Sequence, residues 1–167
     1  NLVVANAQDP GISSTGELLS LNINSSSSQG PTDDGRIKHD ITGNGTALWS
    51  PISTSTSSYE YSTGTSMAAP NVAGSILLLQ QYFNSLNNSF MKISSLKGLV
   101  CHTADDDSVR IGPDPIYGWG LLNTKKAAET ILEANQGNAI IMEGTLNDNE
   151  SFTTTISVSS DGPLSAT

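Results

Sequence analysis

Cysteine is almost absent. Cys101 is the sole one among 167 residues, so no internal disulfide can form, and cysteine usage neither demands nor excludes an oxidising compartment. Basic residues are scarce as well: seven Lys and Arg face 16 Asp and Glu, for a formal charge of −9 and a pI near 4.3. That balance argues against a nucleic-acid partner and against docking on an anionic membrane surface. No apolar run approaches the length of a membrane span, the longest lying around Ile76 to Leu79. Histidine occurs twice, and internal repeats are lacking. So are an initiator methionine and a signal peptide. The chain opens on Asn1-Leu2-Val3-Val4 and reads as part of a longer polypeptide. Ser, Thr, Asn and Gly fill the space left by 36% hydrophobic and 14% charged residues, a composition compatible with secretion. The length suffices for one domain with a core.

The most informative stretch is Gly64-Thr65-Ser66-Met67-Ala68-Ala69-Pro70, continuing into Asn71-Val72-Ala73-Gly74. Pro70 is tolerated in a helix only near its start, so the helix containing it must begin a few residues upstream. Thr65 is placed to cap it, its hydroxyl holding an otherwise unpaired backbone N–H. Val72, Ala73, Ile76, Leu77, Leu78, Leu79, Tyr82 and Phe83 are apolar almost all round, the pattern of a buried helix. Ser66 thus falls at a helix N-terminus, where the first N–H groups lack intrahelical partners and negative charge is favoured. Such a place suits a nucleophile whose reaction creates an oxyanion; an ordinary helix start with a serine near its cap has the same outline.

Elsewhere, Leu2 to Ala5 is a short apolar run, as in a strand buried on both faces of a parallel sheet, stopped by Asp9-Pro10-Gly11. Leu18 to Ile23 is a second extended segment, and Asn24 to Gln29 a serine-rich loop. Asp33 and Asp34 sit in a turn-rich loop and read as a capped, solvated turn rather than a metal site. Ile37 to Thr42 reads as a strand, Gly43-Asn44-Gly45 as a turn, and Ser50 to Ser58 as a loop. A second helix is expected over Ile93 to Thr103 with Ser94 as its cap. Asp105-Asp106-Asp107 reads as an exposed acidic loop in preference to a calcium site. A third helix follows Tyr117-Gly118-Trp119-Gly120-Leu121-Leu122-Asn123 and runs to about Leu132. Residues 135–138 form a turn cluster read as a linker. Ala139 to Leu146 and Phe152 to Val158 read as two strands around Asn147-Asp148-Asn149-Glu150.

Three strings in order resemble the subtilisin-like serine proteases: Gly30-Pro31-Thr32-Asp33-Asp34-Gly35-Arg36-Ile37-Lys38 with Asp40-Ile41, then Gly64 to Gly74, then Tyr117 to Asn123. The likeness covers roughly Leu2 to Leu132. It implies an α/β fold, a mostly parallel sheet flanked by helices, with residues 1–134 as the C-terminal half of a peptidase domain. Residues 139–167 are similar to the opening strands of the β-rich domains that follow it in many members. By resemblance Ser66 is the nucleophile and its N–H half of the oxyanion hole, supported by Gly64, Thr65, Met67 and Pro70. The family's aspartate, histidine and oxyanion asparagine precede the serine, upstream of the strand that opens this chain. The expected activity is therefore serine endopeptidase chemistry on a polypeptide, with the isolated chain inactive. The expected partners are the missing N-terminal half or another copy, and the expected location is extracellular or at the cell surface. No cofactor is implied, calcium stays open with no site identified, and a noncatalytic binding or adhesive protein on the same scaffold is the alternative. His39 stands where the family usually has proline and reads as a tolerated substitution rather than a base. His102 suits the negative end of a helix.

Overall fold

The computed structural model describes residues 1–157. Its centre is a parallel pair, β1 (Val4–Ala7) and β4 (Ile41–Asn44), with Val4 opposite Ile41 and Ala7 opposite Asn44. A parallel bridge from Thr42 to Leu121 continues the layer on the far side of β4. Between β1 and β4 the chain makes a small antiparallel pair, β2 (Gly11–Ile12) with β3 (Leu18–Ser20). After β4 come the hairpin β5 (Leu48–Pro51) and β6 (Tyr59–Ser62), then α1 (Thr65–Asn87), α2 (Ile93–His102) and α3 (Thr124–Gln136). Helix α1 packs on β1, β4 and α3, and α2 packs on α3. This is the expected α/β arrangement of parallel strands flanked by helices.

Small residues let the layers approach. Ala5, Asn6 and Ala7 of β1 are completely buried. A Cβ on Gly43 would lie 2.6 Å from Val72 Cγ2 of α1. Gly43 and Asn44 are therefore in β4, not in a turn, and their glycine serves close packing. The strands sit two to four residues later than the apolar runs suggested, because pairing register selects the residues small enough to lie under α1. Asn6 needs partners in that dry setting. Its N–H donates to Ser27 Oγ (3.1 Å), its amide nitrogen to Ser26 Oγ (3.2 Å), and its Oδ1 accepts from Thr46 (3.4 Å). The serine-rich loop supplies two of these groups.

The main apolar cluster joins Leu79 of α1, Met91 of the connection that follows it, Leu96, Leu99 and Val100 of α2, and Ala127 and Ile131 of α3. Each large side chain fully buried there stabilises the fold by roughly 1.5–3 kcal/mol. Helix α1 departs from its expected burial: Ala68, Val72 and Leu79 are buried, whereas Leu77 and Leu78 are 69% and 61% exposed. An apolar circumference requires cover on all sides, and residues 1–157 cover one.

Other boundaries also move. The cap of α2 is Lys92, not Ser94, in extended conformation and without a side-chain cap. Glu143 serves the helix start instead: its carboxylate accepts from the Lys92 N–H (2.8 Å) and from Ser95, and these bonds lower its pKa. A negative charge is favourable at that end. Helix α3 continues to Gln136, past Leu132 and through the first two residues of the expected linker; Gly137, at φ 82, ends it. Beyond it, residues 139–157 form no strand, although Asn147 and Glu150 close the expected turn. Val158 and the rest of the chain lie outside the described residues.

Candidate active site

The N-terminus of α1 is built by three contacts. Gly64 is its cap residue, at φ 154 and ψ 170, a region that only glycine occupies readily. Its carbonyl accepts from the N–H groups of Met67 (3.0 Å) and Ala68 (3.1 Å). Its own N–H donates to the Gly45 carbonyl at 2.9 Å, which fastens the turn to the end of β4. Thr65 is consequently the first helical residue and not the cap, and no side chain caps this helix. The backbone conformation of Gly64 does what the Thr65 hydroxyl was expected to do.

Ser66 is the second residue of α1 and its side chain is exposed. The first helical acceptor, Gly64 O, is taken by Met67 and Ala68, so the Thr65 and Ser66 N–H groups have no intrahelical acceptor. They stand at the positive end of a 23-residue helix. Pro70, inside that helix, has no N–H to give the Ser66 carbonyl, four residues earlier. Met67 is half-buried, its sulfur 3.9 Å from where a Gly64 Cβ would be. Gly45 leaves no slack beneath: a Cβ there would lie 2.5 Å from Gly64 O, 2.6 Å from Asn6 Oδ1 and 2.7 Å from Ala68 Cβ. Thr63 completes the setting, its hydroxyl accepting the N–H of Ala47 at 2.9 Å, where the backbone has φ 52. Gly45 and Thr63 are the supports that the sequence reading missed; two glycines spaced at the strand period before the nucleophile string were the available signal.

The histidines lie elsewhere. His39 is 7% exposed, and burial depresses its imidazole pKa against the opposing effects of the Asp40 carboxylate and a hydrogen bond to the Ile116 backbone. Its Nδ1 has no hydrogen-bond partner, and no hydrogen bond joins it to Ser66. Asp40 turns to Lys38 and to the Val3 N–H; burial would raise its carboxyl, but these bonds hold it lower. His102 is the last residue of α2. Cys101 is half-buried, and burial pushes its thiol up, away from nucleophilic reactivity.

The acidic residues are structural. Asp33 and Asp34 form the expected exposed turn, with Asp34 taking Thr32 and Arg36 (2.8 Å). Asp105 and Asp107 contradict the exposed-loop expectation, each being only 8% exposed. Asp105 holds Asn123 (2.8 Å) and Lys126. Asp107 takes the N–H groups of Val109 and Arg110 and the Arg110 guanidinium; burial would raise its carboxyl, but these bonds outweigh it. Asp114 Oδ1 closes the turn into Tyr117-Gly118 through the N–H groups of Ile116 (2.6 Å) and Tyr117 (3.1 Å). Among the described residues no group of three or more His, Cys, Asp or Glu is placed to hold a metal ion, and none of the helices is long and apolar enough to cross a membrane.

The class defined by this arrangement is an α/β protein whose short parallel layer abuts the glycine-led start of a helix carrying serine at its second position. The family follows from comparison. A match to the Subtilase family spans residues 7–120, and the chain belongs to that family. It is 42% identical over 133 residues to the PII-type proteinase of Lactococcus lactis subsp. cremoris, covering 70% of this chain and 7% of that protein. The chain thus spans a small fraction of the curated relatives it matches. Among solved structures it is similar to the CspB protease of Clostridium perfringens, with TM-score 0.59 and 25% identity over 66% of this chain and 24% of that one. Fervidolysin from Fervidobacterium pennivorans shares the fold at TM-score 0.57 and 24% identity, over 77% of this chain and 19% of that one.

Proposed function

We propose that this chain carries the nucleophile of a serine endopeptidase. Ser66 Oγ attacks the scissile carbonyl, a histidine accepts its proton, and the acyl-enzyme is then hydrolysed. The oxyanion is received by the Ser66 N–H together with an asparagine side chain. The observation that carries the reading is the exposed serine at the second position of α1, its N–H without an intrahelical acceptor. The burial of His39 and its hydrogen bond to the Ile116 backbone support a base supplied from outside these residues, with the orienting aspartate and the oxyanion asparagine, by polypeptide upstream. Residues 1–134 are then the C-terminal half of the peptidase domain, and 139–167 the entry to a further β-rich domain. The exposed aliphatic stripe of α1 (Ala69, Ala73, Leu77, Leu78) is the face that the upstream half, or failing it another copy, covers. The family and the acidic composition support action outside the cell or at its surface.

The test is active-site labelling with a fluorophosphonate. The full-length protein should label at Ser66 and lose the label in Ser66→Ala, while the 167-residue chain alone labels at background rate. Enzyme-like labelling of the isolated chain would overturn the divided active site. Absence of label in the full-length protein would overturn the nucleophile assignment.

A further inference from the structure

Two exposed apolar faces flank Ser66 along the chain, and their chemistry differs. The α1 stripe is mainly aliphatic, with the exposed Gln81 amide one turn beyond Leu77 and Leu78. The outer face of the β5–β6 hairpin is aromatic. Its register sets Trp49 opposite Tyr61 and Pro51 opposite Tyr59, which places all four on one side of the ribbon. The Trp49 ring lies 4.8 Å from that of Tyr61 and 6.0 Å from that of Tyr59, nearly parallel to the latter at 17°. All three are at least half exposed, at 59%, 66% and 50% for Trp49, Tyr61 and Tyr59.

Rings that already hold one another have little freedom left to lose on binding. Each also carries an indole or phenol donor at its edge, so the face can meet both apolar side chains and peptide carbonyls in a wet contact. Glu60 alternates to the other side, leaving the aromatic face itself uncharged. The net charge of −9 disfavours an acidic occupant.

The hairpin is continuous with the nucleophile turn. Both of its ends are fastened there, through Gly64 N–H to Gly45 O and Ala47 N–H to Thr63 Oγ1. Tyr61 precedes Ser66 by five positions (66 − 61), at most about 18 Å of extended backbone. A peptide lying extended across Ser66 advances about 3.3 Å per residue. A peptide running from Ser66 toward the hairpin would span that separation in about five residues.

We propose that Trp49, Tyr59 and Tyr61 form an accessory substrate subsite taking an extended, non-acidic peptide segment rich in proline and apolar side chains. Such segments dock on aromatic faces because their backbone is already ordered. The assignment rests on the proteolytic reading above, and two assays separate them. In the full-length protein, kcat/KM is measured on a quenched decapeptide with Pro-Leu-Pro four residues from the cleaved bond, and on a tripeptide chromogenic substrate. Trp49→Ala and Tyr61→Ala should lower the decapeptide-to-tripeptide ratio about tenfold, the size of an interface hot spot, with Tyr61→Phe retaining most of it. An unchanged ratio, including equal loss on both substrates, overturns the subsite. The second assay titrates the uncut decapeptide into full-length Ser66→Ala protein by calorimetry. Adding Tyr61→Ala should weaken binding about tenfold; unchanged affinity overturns the subsite. Should the full-length protein cleave neither substrate and take no fluorophosphonate label at Ser66, the proteolytic reading fails and the titration alone decides the surface.

Discussion

Gly45→Ala is the most revealing single change available near Ser66. Its new methyl would fall 2.5 Å from Gly64 O, 2.6 Å from Asn6 Oδ1 and 2.7 Å from Ala68 Cβ. None of the three can swing aside. Gly64 O holds the first two hydrogen bonds of α1, the Asn6 side chain is fully buried and bonded, and Ala68 is fully buried on the helix. Overpacking typically costs about 1–3 kcal/mol, and three such contacts put this variant at the upper end, about 3 kcal/mol. For a domain of this size that lowers Tm by roughly 6–12 °C. Relief can come only by lifting the Gly64 turn from β4, so the labelling rate at Ser66 should fall beyond what the loss of folded protein explains. Gly98→Ala is the matched control: it lies within α2 and its Cβ meets nothing within 4 Å. It should stabilise by about 0.5–1 kcal/mol, through reduced freedom of the unfolded chain. Scanning calorimetry and fluorophosphonate labelling of the full-length protein measure both. A Gly45→Ala protein within about 2 °C of wild type, labelled at the normal rate, would refute the claim that β4 positions the nucleophile turn.

Two further outcomes follow from the same geometry. Burial depresses the His39 pKa in the folded state, so as pH falls below the unfolded value of about 6.5, the unfolded chain takes up a proton that the folded one refuses. Stability from this site is complete above that pH and declines below it toward the folded pKa; denaturant titrations from pH 7.5 to 5 should show the decline, and His39→Gln should flatten it. Thr63→Val removes the acceptor of the Ala47 N–H and should cost about 0.5–1.5 kcal/mol, with Thr63→Ser restoring most of the loss in chemical denaturation.

What could be read from the sequence, and what could not, divides along a physical line. Features fixed by local chemistry were legible: the helix start demanded by Pro70, the turn of Asp33 and Asp34, and the stop at Asp9-Pro10-Gly11. Features decided by what lies across a gap were not. Gly43 and Gly45 have the composition of a turn, and only the approach of Val72 and Ala68 reveals that they are cleared space in a strand. Thr65 has a capping side chain, but Gly64 reaches a backbone conformation that makes the cap unnecessary. Asp105 and Asp107 form an acidic run by sequence, yet Lys126 and Arg110, supplied from different distances along the chain, turn them into buried anchors.

The outer face of α1 carries that division furthest. Periodicity reports which residues avoid water, but not which polypeptide excludes it. Their apolar character predicts burial for Leu77 and Leu78, and the described residues leave them open. Exposed leucines on a helix whose opposite face is fully packed are costly to display as one patch. The divided peptidase domain proposed above would account for the pattern by covering this face. Leu77→Gln with Leu78→Gln should then act oppositely in two settings. On that proposal it should raise the monomer fraction of the isolated chain in light scattering, and destabilise the full-length protein. If the double variant leaves both unchanged, the stripe is ordinary surface and the divided peptidase domain loses its structural support.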